Sequence, residues 1–331
     1  MEKFVVKFKF ISPVHFGDLE QLPNNFSNTD YVVQNDTIFS ALMIEAINLY
    51  GEEKVKHIYD IFLNDCKISS MMPYINDTYY LPKPLLEDKR EIQDDLKTLK
   101  IIKNLRFLPA SKVNEYTKIL NGQGLLNDFV IYKSELEKLG KYSIIDKVNI
   151  SRDNQDNSPW SLGIFTFSKN CGTYIVVTAE NSTNEVIDLL KNLQYSGIGG
   201  RRSSGYGHFE IEIINLSQTD NIDLKTLNTM LDKKSDRFMT LSICLPNKPD
   251  EENLKDAYYY VVRRSGFITS TNFSDEFIKK DDTYAFMVGS TFTKLFDGQI
   301  RDVSNNAGTH KVYKHLIPLF VGVENEWYKK I

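Results

Sequence analysis

The sequence is poor in the residues that build disulfides, metal sites and membrane spans. Its three cysteines, Cys66, Cys171 and Cys244, are far apart and form no CxxC pair. This pattern predicts reduced thiols, with neither a disulfide framework nor a zinc site. No apolar run approaches the roughly 18 residues that a membrane-spanning helix needs, and the opening MEKFVVKFKF lacks the apolar stretch of a signal peptide. We therefore expect a cytoplasmic protein with no membrane attachment.

Catalytic and metal-binding patterns are also missing. The five histidines are scattered at positions 15, 57, 208, 310 and 315 and form no HExxH, HD or His–Cys arrangement. No nucleophile turn of the GxSxG type occurs. Two adjacent aspartate pairs, at 94–95 and 281–282, stand in polar segments that are typical of solvated charge. The sequence therefore predicts neither a metal nor another cofactor.

The chain has no overall positive charge. It carries 40 basic and 44 acidic residues, a formal net charge of −4, which argues against a strongly basic nucleic-acid coat. Nucleic-acid binding depends, however, on how charge clusters on one face. Residues 97–118 contain six basic side chains against Glu115 alone. Taken by itself, such a run is more often a solvated helix face than a binding site.

Hydrophobic periodicity predicts two successive sets of secondary structure, as the length of 331 residues suggests. In the first, strands are expected at 3–10, 144–151, 161–168, 172–179 and near 209–214. Helices are expected from Asp36 to Gly51, over 53–64, and from a capping box formed by Ser182 and Glu185. With 76–142 treated as an insertion, the order is β-α-β-β-α-β, which is typical of ferredoxin-like or RRM-like folds. A polar stretch at 216–236 then leads into a second, β-rich set.

A glycine-rich stretch, SGIGGRRSSGYGHF at 196–209, suggests a loop that holds phosphate. It is not a P-loop, because Tyr206 stands where the lysine of GxxxxGK[ST] is required. It is not a dinucleotide fingerprint either, because Arg202 replaces the third glycine of GxGxxG. Both motifs also follow a strand and open a helix, whereas this loop follows a helix and precedes a strand. A nucleotide cofactor is therefore excluded.

Two interpretations of the loop remain. It is either a flexible connection before the last strand or a site for a polyanion such as RNA. Exposed backbone N–H groups and the two guanidinium groups of Arg201 and Arg202 suit a passing chain of phosphodiesters. Tyr206 offers an aromatic face that can stack on a base or on the protein. The residues favour RNA.

The ordered motifs resemble one protein family. PVHFG follows the first strand, DTIFSAL opens the first helix, and YLPKP, GIGGRRSSGYG, VVRRSGFI, MVGSTF and HKVYKH come after them. Together they resemble the RAMP superfamily of CRISPR proteins, and within it the subunit of the type III-A Csm complex that caps the 5′ end of the guide RNA. The resemblance implies an α+β protein with two ferredoxin-like RAMP domains, at 1–215 and 237–331, joined by a linker at 216–236. A thumb insertion is expected at about 79–142.

The resemblance also implies a role in antiviral defence without catalysis. Such subunits hold the repeat-derived 5′ handle of the crRNA and connect a large cyclase-like and polymerase-like signalling subunit to a backbone RAMP subunit. The basic run at 97–118 is then expected to face RNA or a partner. Carried over position by position, the family's RNA contacts fall on His15, Gly17, Lys83, Gly197, Gly199, Gly200, Arg201, Arg202, Ser203, Ser204, Gly205, Gly207, Arg264, Ser265 and Gly266.

Two other functions stay open at this stage. Some RAMP relatives cleave precursor RNA without a metal, and His15 is placed to act as the general base of such a reaction. The same histidine equally suits a hydrogen bond to RNA or to a turn. A purely architectural subunit that touches only protein is the second alternative.

Overall fold

A computed structural model gives the fold of residues 1–17, 26–91, 94–148, 159–232, 234–248, 251–268, 273–274, 276, 278–305 and 308–323. The helices in this part of the chain are α1 (Asn35–Tyr50), α2 (Val55–Asn64), α3 (Leu96–Asn104), α4 (Val113–Leu120), α5 (Ile131–Glu137), α6 (Thr183–Ser196), α7 (Ile222–Leu231) and α8 (Glu251–Leu254). The strands are β1 (Glu2–Phe10), β2 (Lys67–Ile68), β3 (Met72–Ile75), β4 (Thr78–Pro82), β5 (Phe107–Pro109), β6 (Gly140–Val148), β7 (Pro159–Phe167), β8 (Cys171–Ala179), β9 (Phe209–Asn215), β10 (Phe238–Thr240), β11 (Val261–Arg264), β12 (Thr283–Phe286), β13 (Thr291–Phe292), β14 (Gln299–Asp302), β15 (Tyr313–Leu316) and β16 (Phe320–Gly322).

Strand β1 lies inside the main sheet. The sheet has the order β5-β4-β3-β8-β1-β9, with β2 also paired to β8, and β1 runs antiparallel to both of its neighbours. The alternation of residues 3–10 predicts one buried and one exposed face. The apolar face is buried as expected, but Lys7 on the opposite face is buried as well. The Lys7 ammonium lies 4.5 Å from the ring centroid of Tyr74 and 3.4 Å from the Glu212 carboxylate. An ion pair and a cation–π contact thus compensate the buried charge.

Helices α1 and α6 are confirmed, and α6 begins after Ser182 as predicted, but the side-chain capping of both helices differs from the prediction. Gln34, not Asp36, is the N-cap residue of α1, and the Asp36 carboxylate instead accepts hydrogen bonds from Arg264. The expected capping box before α6 is also wrong. The Ser182 hydroxyl donates to the carboxylate of Asp65, at 2.5 Å, and makes no cap hydrogen bond. In both cases a partner distant in the sequence takes the polar side chain away from the helix end.

The predicted insertion at about 79–142 is largely part of the first half's body. Strands β4 and β5 extend the main sheet, and Tyr80 and Leu81 are buried in the core. The long hairpin is instead β6–β7, whose first strand is mostly exposed. It matches the two strands expected at 144–151 and 161–168, although positions 149–151 lie outside the described residues. The element that extends from the body is therefore the hairpin at about 140–167, and not the segment at 79–142, much of which is buried.

The polar stretch at 216–236, expected as a linker, contains helix α7. Its side chains Leu224, Leu227 and Leu231 are buried. The buried carboxylate of Asp223 accepts hydrogen bonds from the backbone N–H groups of Tyr79 and Ser111, at 3.0 and 2.9 Å. This helix therefore packs into the first half instead of running over its surface.

The described strands of the second half form small sheets. Strands β13-β10-β16 make one, while β11-β12 and β14-β15 make two-stranded sheets. This arrangement lacks the β-α-β-β-α-β order of the second ferredoxin-like domain that we expected. The short strands bury their apolar side chains against the first half, and Met239, Leu241 and Val321 belong to the same core cluster as Phe4. The domain boundaries at 215 and 237 stay a prediction.

Candidate nucleic-acid interface

The glycine-rich loop between α6 and β9 is folded back on the turn that follows β1. The Gly200 N–H donates to the carbonyl oxygen of His15 at 2.8 Å, and the Gly207 N–H donates to that of Pro13 at 2.9 Å. Within the loop, the Ile198 N–H donates to the carbonyl of Gly207 at 3.0 Å. The predicted order of helix, loop and strand is confirmed, but these bonds fix the loop's shape, so it is not simply a flexible connection.

Several of the glycines are required by close packing. A Cβ at Gly207 would lie 2.0 Å from the carbonyl oxygen of Ile198, and one at Gly199 would lie 2.7 Å from the Phe16 ring. Both positions, like Gly205, also have a positive φ that disfavours side chains. The backbone N–H groups of Gly199 and Arg201 have no hydrogen-bond acceptor within the described part of the chain. Packing thus explains most of the glycines, and these two amides are available to an anion.

The two loop arginines have different surroundings. Arg201 is an exposed residue with a φ of 62°, and its guanidinium carbon lies 4.4 Å from the ring centroid of Trp160 on β7. Arg202 is half-buried and donates from Nη1 to the carbonyl oxygen of Gly197 at 3.4 Å. Among the described residues, neither guanidinium has a carboxylate partner. Within this part of the chain, neither charge is balanced by an ion pair.

The loop forms one wall of a cleft of about 510 Å³ between the two halves. The first half contributes the turn after β1, the loop and the start of α1, and the second half contributes the segment after β11. The predicted residues that line the cleft are His15, Gly17, Gly199, Gly200, Arg202, Arg264, Ser265 and Gly266. Lining side chains include four basic groups against the two carboxylates Asp30 and Asp36. The cleft is therefore positive in a chain whose formal net charge is −4.

The other predicted residues of the loop surround this wall. Gly197 and Gly207 are buried beneath it, and Ser203, Ser204 and Gly205 are exposed. The half-buried Tyr206 ring has the Lys147 ammonium of β6 at 4.7 Å from its centroid. Tyr206 therefore contacts the hairpin, and its predicted stacking on a base stays a prediction.

Arg264 is held inside the protein. Its guanidinium donates two hydrogen bonds, of 2.9 and 2.8 Å, to the Asp36 carboxylate. Burial raises the pKa of Asp36. The charge and hydrogen bonds of Arg264, with smaller contributions from the charges of Lys314 and Lys280, more than offset this, so that the pKa lies below its usual value. The Asp36 carboxylate thus neutralises the Arg264 guanidinium, and Arg264 lines the cleft mainly as part of an ion pair.

His15 is buried beside the loop. Its Nδ1 lies 2.7 Å from the carbonyl oxygen of Gly163 on β7, so Nδ1 must carry a proton and donate it. Burial lowers the pKa of His15, the hydrogen bond to Gly163 opposes this, and the Arg201 charge adds to the lowering. In the neutral ring Nε2 is therefore an acceptor, which positions His15 to receive a hydrogen bond.

Lys83 lies apart from the cleft. Its ammonium donates to the carbonyl oxygens of Ile102 and Lys103, the latter at 3.3 Å, at the end of α3. Burial lowers the pKa of Lys83 to about 8. These contacts give Lys83 a role in capping α3, and the structure does not bring it to the other predicted RNA contacts.

The basic run at 97–118 is also divided. Arg106 pairs with Asp30 at 2.9 Å, and Lys112 pairs with Glu115 at 2.6 Å. The side chains of Lys97, Lys100 and Lys103 are exposed on α3. These three fit the expectation of a surface that faces RNA or a partner.

Two cleft lysines were missed by the sequence analysis. Lys280 and Lys314 line the cleft beside Arg264. Lys314 lies in the HKVYKH motif, which was a usable signal, whereas Lys280 follows a stretch without a clear pattern. Among the described residues no group of three potential metal ligands occurs, and no described helix has the length and apolar character needed to cross a membrane.

Comparisons with known proteins agree with this architecture. The family model of the RAMP superfamily matches residues 7–210, and that of the CRISPR Csm4 C-terminal domain matches residues 233–323. The CRISPR system Cms protein Csm4 of Mycobacterium tuberculosis is 29% identical over 327 residues, covering 98% of each chain. The protein of the same name from Streptococcus thermophilus is 29% identical over 324 residues, covering 94% of this chain and 95% of its own.

Solved structures show the same fold. A chain in the crystal structure of the Csm3-Csm4 subcomplex of the type III-A CRISPR-Cas interference complex superposes with a TM-score of 0.65 at 21% identity, covering 98% of this chain and 100% of that chain. A chain of the Csm1-Csm4 cassette in complex with pppApA gives a TM-score of 0.59 at 18% identity, covering 98% of each. The chain belongs to the RAMP superfamily, and within it to the Csm4 family of type III CRISPR subunits.

Proposed function

We propose that this chain is a non-catalytic crRNA-binding subunit of a type III-A antiviral complex that anchors the repeat-derived 5′ handle. The observation that carries the proposal is the cleft, because it assembles segments near residues 15, 200, 265 and 314 around a surplus of positive charge. Single-stranded RNA needs such a path, in which basic groups and backbone donors follow the phosphates.

The loop supports the binding mode in detail. In this proposal, phosphate oxygens accept from the amides of Gly199 and Arg201, which have no acceptor among the described residues. The guanidinium groups of Arg201 and Arg202, which have no carboxylate partner there, also bind phosphate. The packing of the glycines against the β1 turn fixes these donors before RNA arrives, so that little ordering entropy is lost on binding. The neutral His15 contributes an acceptor for a ribose 2′-hydroxyl.

The partners in this proposal follow from the relatives. The solved relatives include a Csm3-Csm4 subcomplex and a Csm1-Csm4 cassette. We infer that this chain likewise joins a backbone RAMP subunit to a large signalling subunit inside the cell. The four main strands β3-β8-β1-β9 support a ferredoxin-like first domain, since these strands occupy chain positions 2-3-1-4. We assign the thumb to the hairpin β6–β7, where Tyr142 and Ile144 are 52% and 66% exposed.

Removal of the loop charges tests RNA anchoring. The double variant Arg201→Ala/Arg202→Ala is expected to weaken binding of handle RNA and to lower the slope of log affinity against log salt by about 1.4, at about 0.7 per lost phosphate contact. The control variant Lys54→Ala/Lys56→Ala removes the same charge from exposed positions of the first half outside the cleft. Fluorescence anisotropy over a salt series measures both. Equal slopes for the two variants would mean that the loop is not the clamp.

A metal-independent endoribonuclease is the alternative function, because neutral His15 has the protonation state of a general base. The chain is expected to leave precursor repeat RNA intact in the presence of a chelator. Denaturing gels of RNA incubated with wild type and His15→Ala compare the two functions. Cleavage by the wild type that His15→Ala abolishes would establish the nuclease and contradict a non-catalytic subunit.

A further inference from the structure

The cleft has a second basic region, contributed by the second half of the chain and distinct from the glycine loop. We propose that Lys280 and Lys314, positioned around the Asp36–Arg264 ion pair, form a phosphate subsite that holds one phosphate group of the bound RNA. This inference rests on the proposed function and adds to it a specific contact from residues that lie far from the loop in the sequence.

Internal contacts position the two lysines. The Lys314 side chain is buried, and its ammonium donates to the carbonyl oxygen of Arg264 at 2.5 Å. The backbone N–H of Lys280 donates to the carbonyl of Gly266 at 2.8 Å, which fixes this residue beside the segment after β11. The Lys280 ammonium has no hydrogen-bond or ion-pair partner within the described residues. One ammonium is thus anchored and the other is available.

The charges of this region do not balance. Asp36 is its carboxylate, and Arg264 already binds both oxygens of that carboxylate. The nearby Asp282 is engaged by Arg263 at 2.5 Å and by Lys279 at 3.4 Å. Among the described residues, no carboxylate therefore forms a direct ion pair with the Lys280 or Lys314 ammonium. Burial lowers the pKa of Lys280 and lowers that of Lys314 to about 8, because the nearby Asp36 charge offsets only part of the hydration that the two ammonium groups lose.

A phosphate group suits this excess of positive charge better than a carboxylate side chain does. Ammonium groups are compact charges with three donors each, and phosphate presents several oxygens in different directions to such donors. The region opens into the cleft that already holds the loop's donors, so RNA passing through the cleft brings phosphates to it. The phosphate is either an internal phosphodiester or the terminal phosphate of the RNA, and both share the same chemistry.

Phosphate-by-phosphate neutralisation of the RNA tests the subsite. Handle RNAs that each carry one methylphosphonate, with a 5′-hydroxyl or a 5′-phosphate, are titrated against full-length wild type, Lys280→Gln and Lys280→Arg. Lys279→Gln is the control, because Lys279 adjoins Lys280, is half-exposed and pairs with Asp282. Thermal melting of each variant verifies folding. For wild type and Lys279→Gln we expect an affinity loss of about tenfold at one position in addition to those that depend on the loop.

If the subsite exists, Lys280→Gln no longer loses affinity when the methylphosphonate is at that one position, whereas Lys280→Arg still does. The affinity losses at the positions that depend on the loop stay the same in both variants. If the terminal phosphate is the ligand, wild type prefers the 5′-phosphate RNA about tenfold and Lys280→Gln loses this preference. Identical profiles for Lys280→Gln and wild type, at every internal position and at the terminus, would overturn the subsite while leaving RNA anchoring intact. Absence of RNA binding by the wild type would overturn the proposed function itself, and the subsite with it.

Discussion

The guanidinium of Arg264 binds both oxygens of the Asp36 carboxylate, at 2.8 and 2.9 Å, and this pair joins two residues 228 positions apart. Asp36 lies at the start of α1 in the first half, and Arg264 ends β11 in the second. Their side chains are 5% and 12% exposed. The pair therefore fixes how the two walls of the cleft are held relative to each other.

Loss of Arg264 leaves a buried carboxylate without its partner. Arg264→Ala is expected to lower the free energy of unfolding by about 3–5 kcal/mol, since an uncompensated buried charge is costly. The neighbouring Arg263 pairs with Asp282 at 2.5 Å but is 52% exposed, so Arg263→Ala is expected to cost less than about 1 kcal/mol. Urea unfolding measures both variants. Similar losses for the two would show that the Asp36–Arg264 pair does not hold the halves together.

The glycines of the loop differ in what they require. Gly205 and Gly207 both have positive φ, which costs a side chain about 1–2 kcal/mol. A Cβ at Gly205 meets nothing within 4 Å, whereas one at Gly207 would lie 2.0 Å from the Ile198 carbonyl oxygen. Gly207→Ala is therefore expected to destabilise the protein well beyond Gly205→Ala. Thermal or urea unfolding compares them, and equal effects would mean that backbone packing does not set the loop's shape.

Acid destabilisation is expected through His315. Its Nδ1 accepts a hydrogen bond from the Asn35 amide at 3.1 Å, and burial lowers its pKa from 6.5 to about 4. The unfolded chain binds more protons at this position between these two values, so the contribution to stability is present above about pH 6.5 and falls as the pH drops toward 4. The loss amounts to about 2–3 kcal/mol at about pH 4.5.

Unfolding at about pH 7 and pH 4.5 checks this contribution. His315→Gln removes the titrating group, so its free energy of unfolding is expected to fall less with acidification than that of the wild type, even if it is lower at neutral pH. Parallel pH dependences for wild type and His315→Gln would exclude His315 as the origin.

Local features of the fold were predictable from the sequence because they depend on neighbouring residues. The stripe of Val186, Leu189 and Leu193 is buried on α6 as its helical spacing predicts, and Gly51 ends α1 with a φ of 76°. In α7 the leucines Leu224, Leu227 and Leu231 have the same helical spacing, although the polar composition of 216–236 predicts a linker. Periodicity was the more reliable guide there.

Long-range partners were not predictable. The spacing around Asp36 suits a helix cap, and nothing local shows that Arg264 takes its carboxylate. Lys83 was assigned to RNA by its motif, but the carbonyls at the end of α3 occupy its ammonium. Lys280 had no motif at all, and only the packing of the second half brings it into the cleft. These positions depend on tertiary contacts that a single sequence does not display.

Photocrosslinking inside the assembled complex decides whether the cleft holds the handle. Photoreactive nucleotides are placed one at a time along the 5′ handle of the crRNA, and crosslinked peptides of this chain are identified by mass spectrometry. Anchoring in the cleft predicts crosslinks to residues 197–207 and to the segments around His15 and Ser265. Handle crosslinks that fall only on other surfaces of this chain, or only on other subunits, would contradict it.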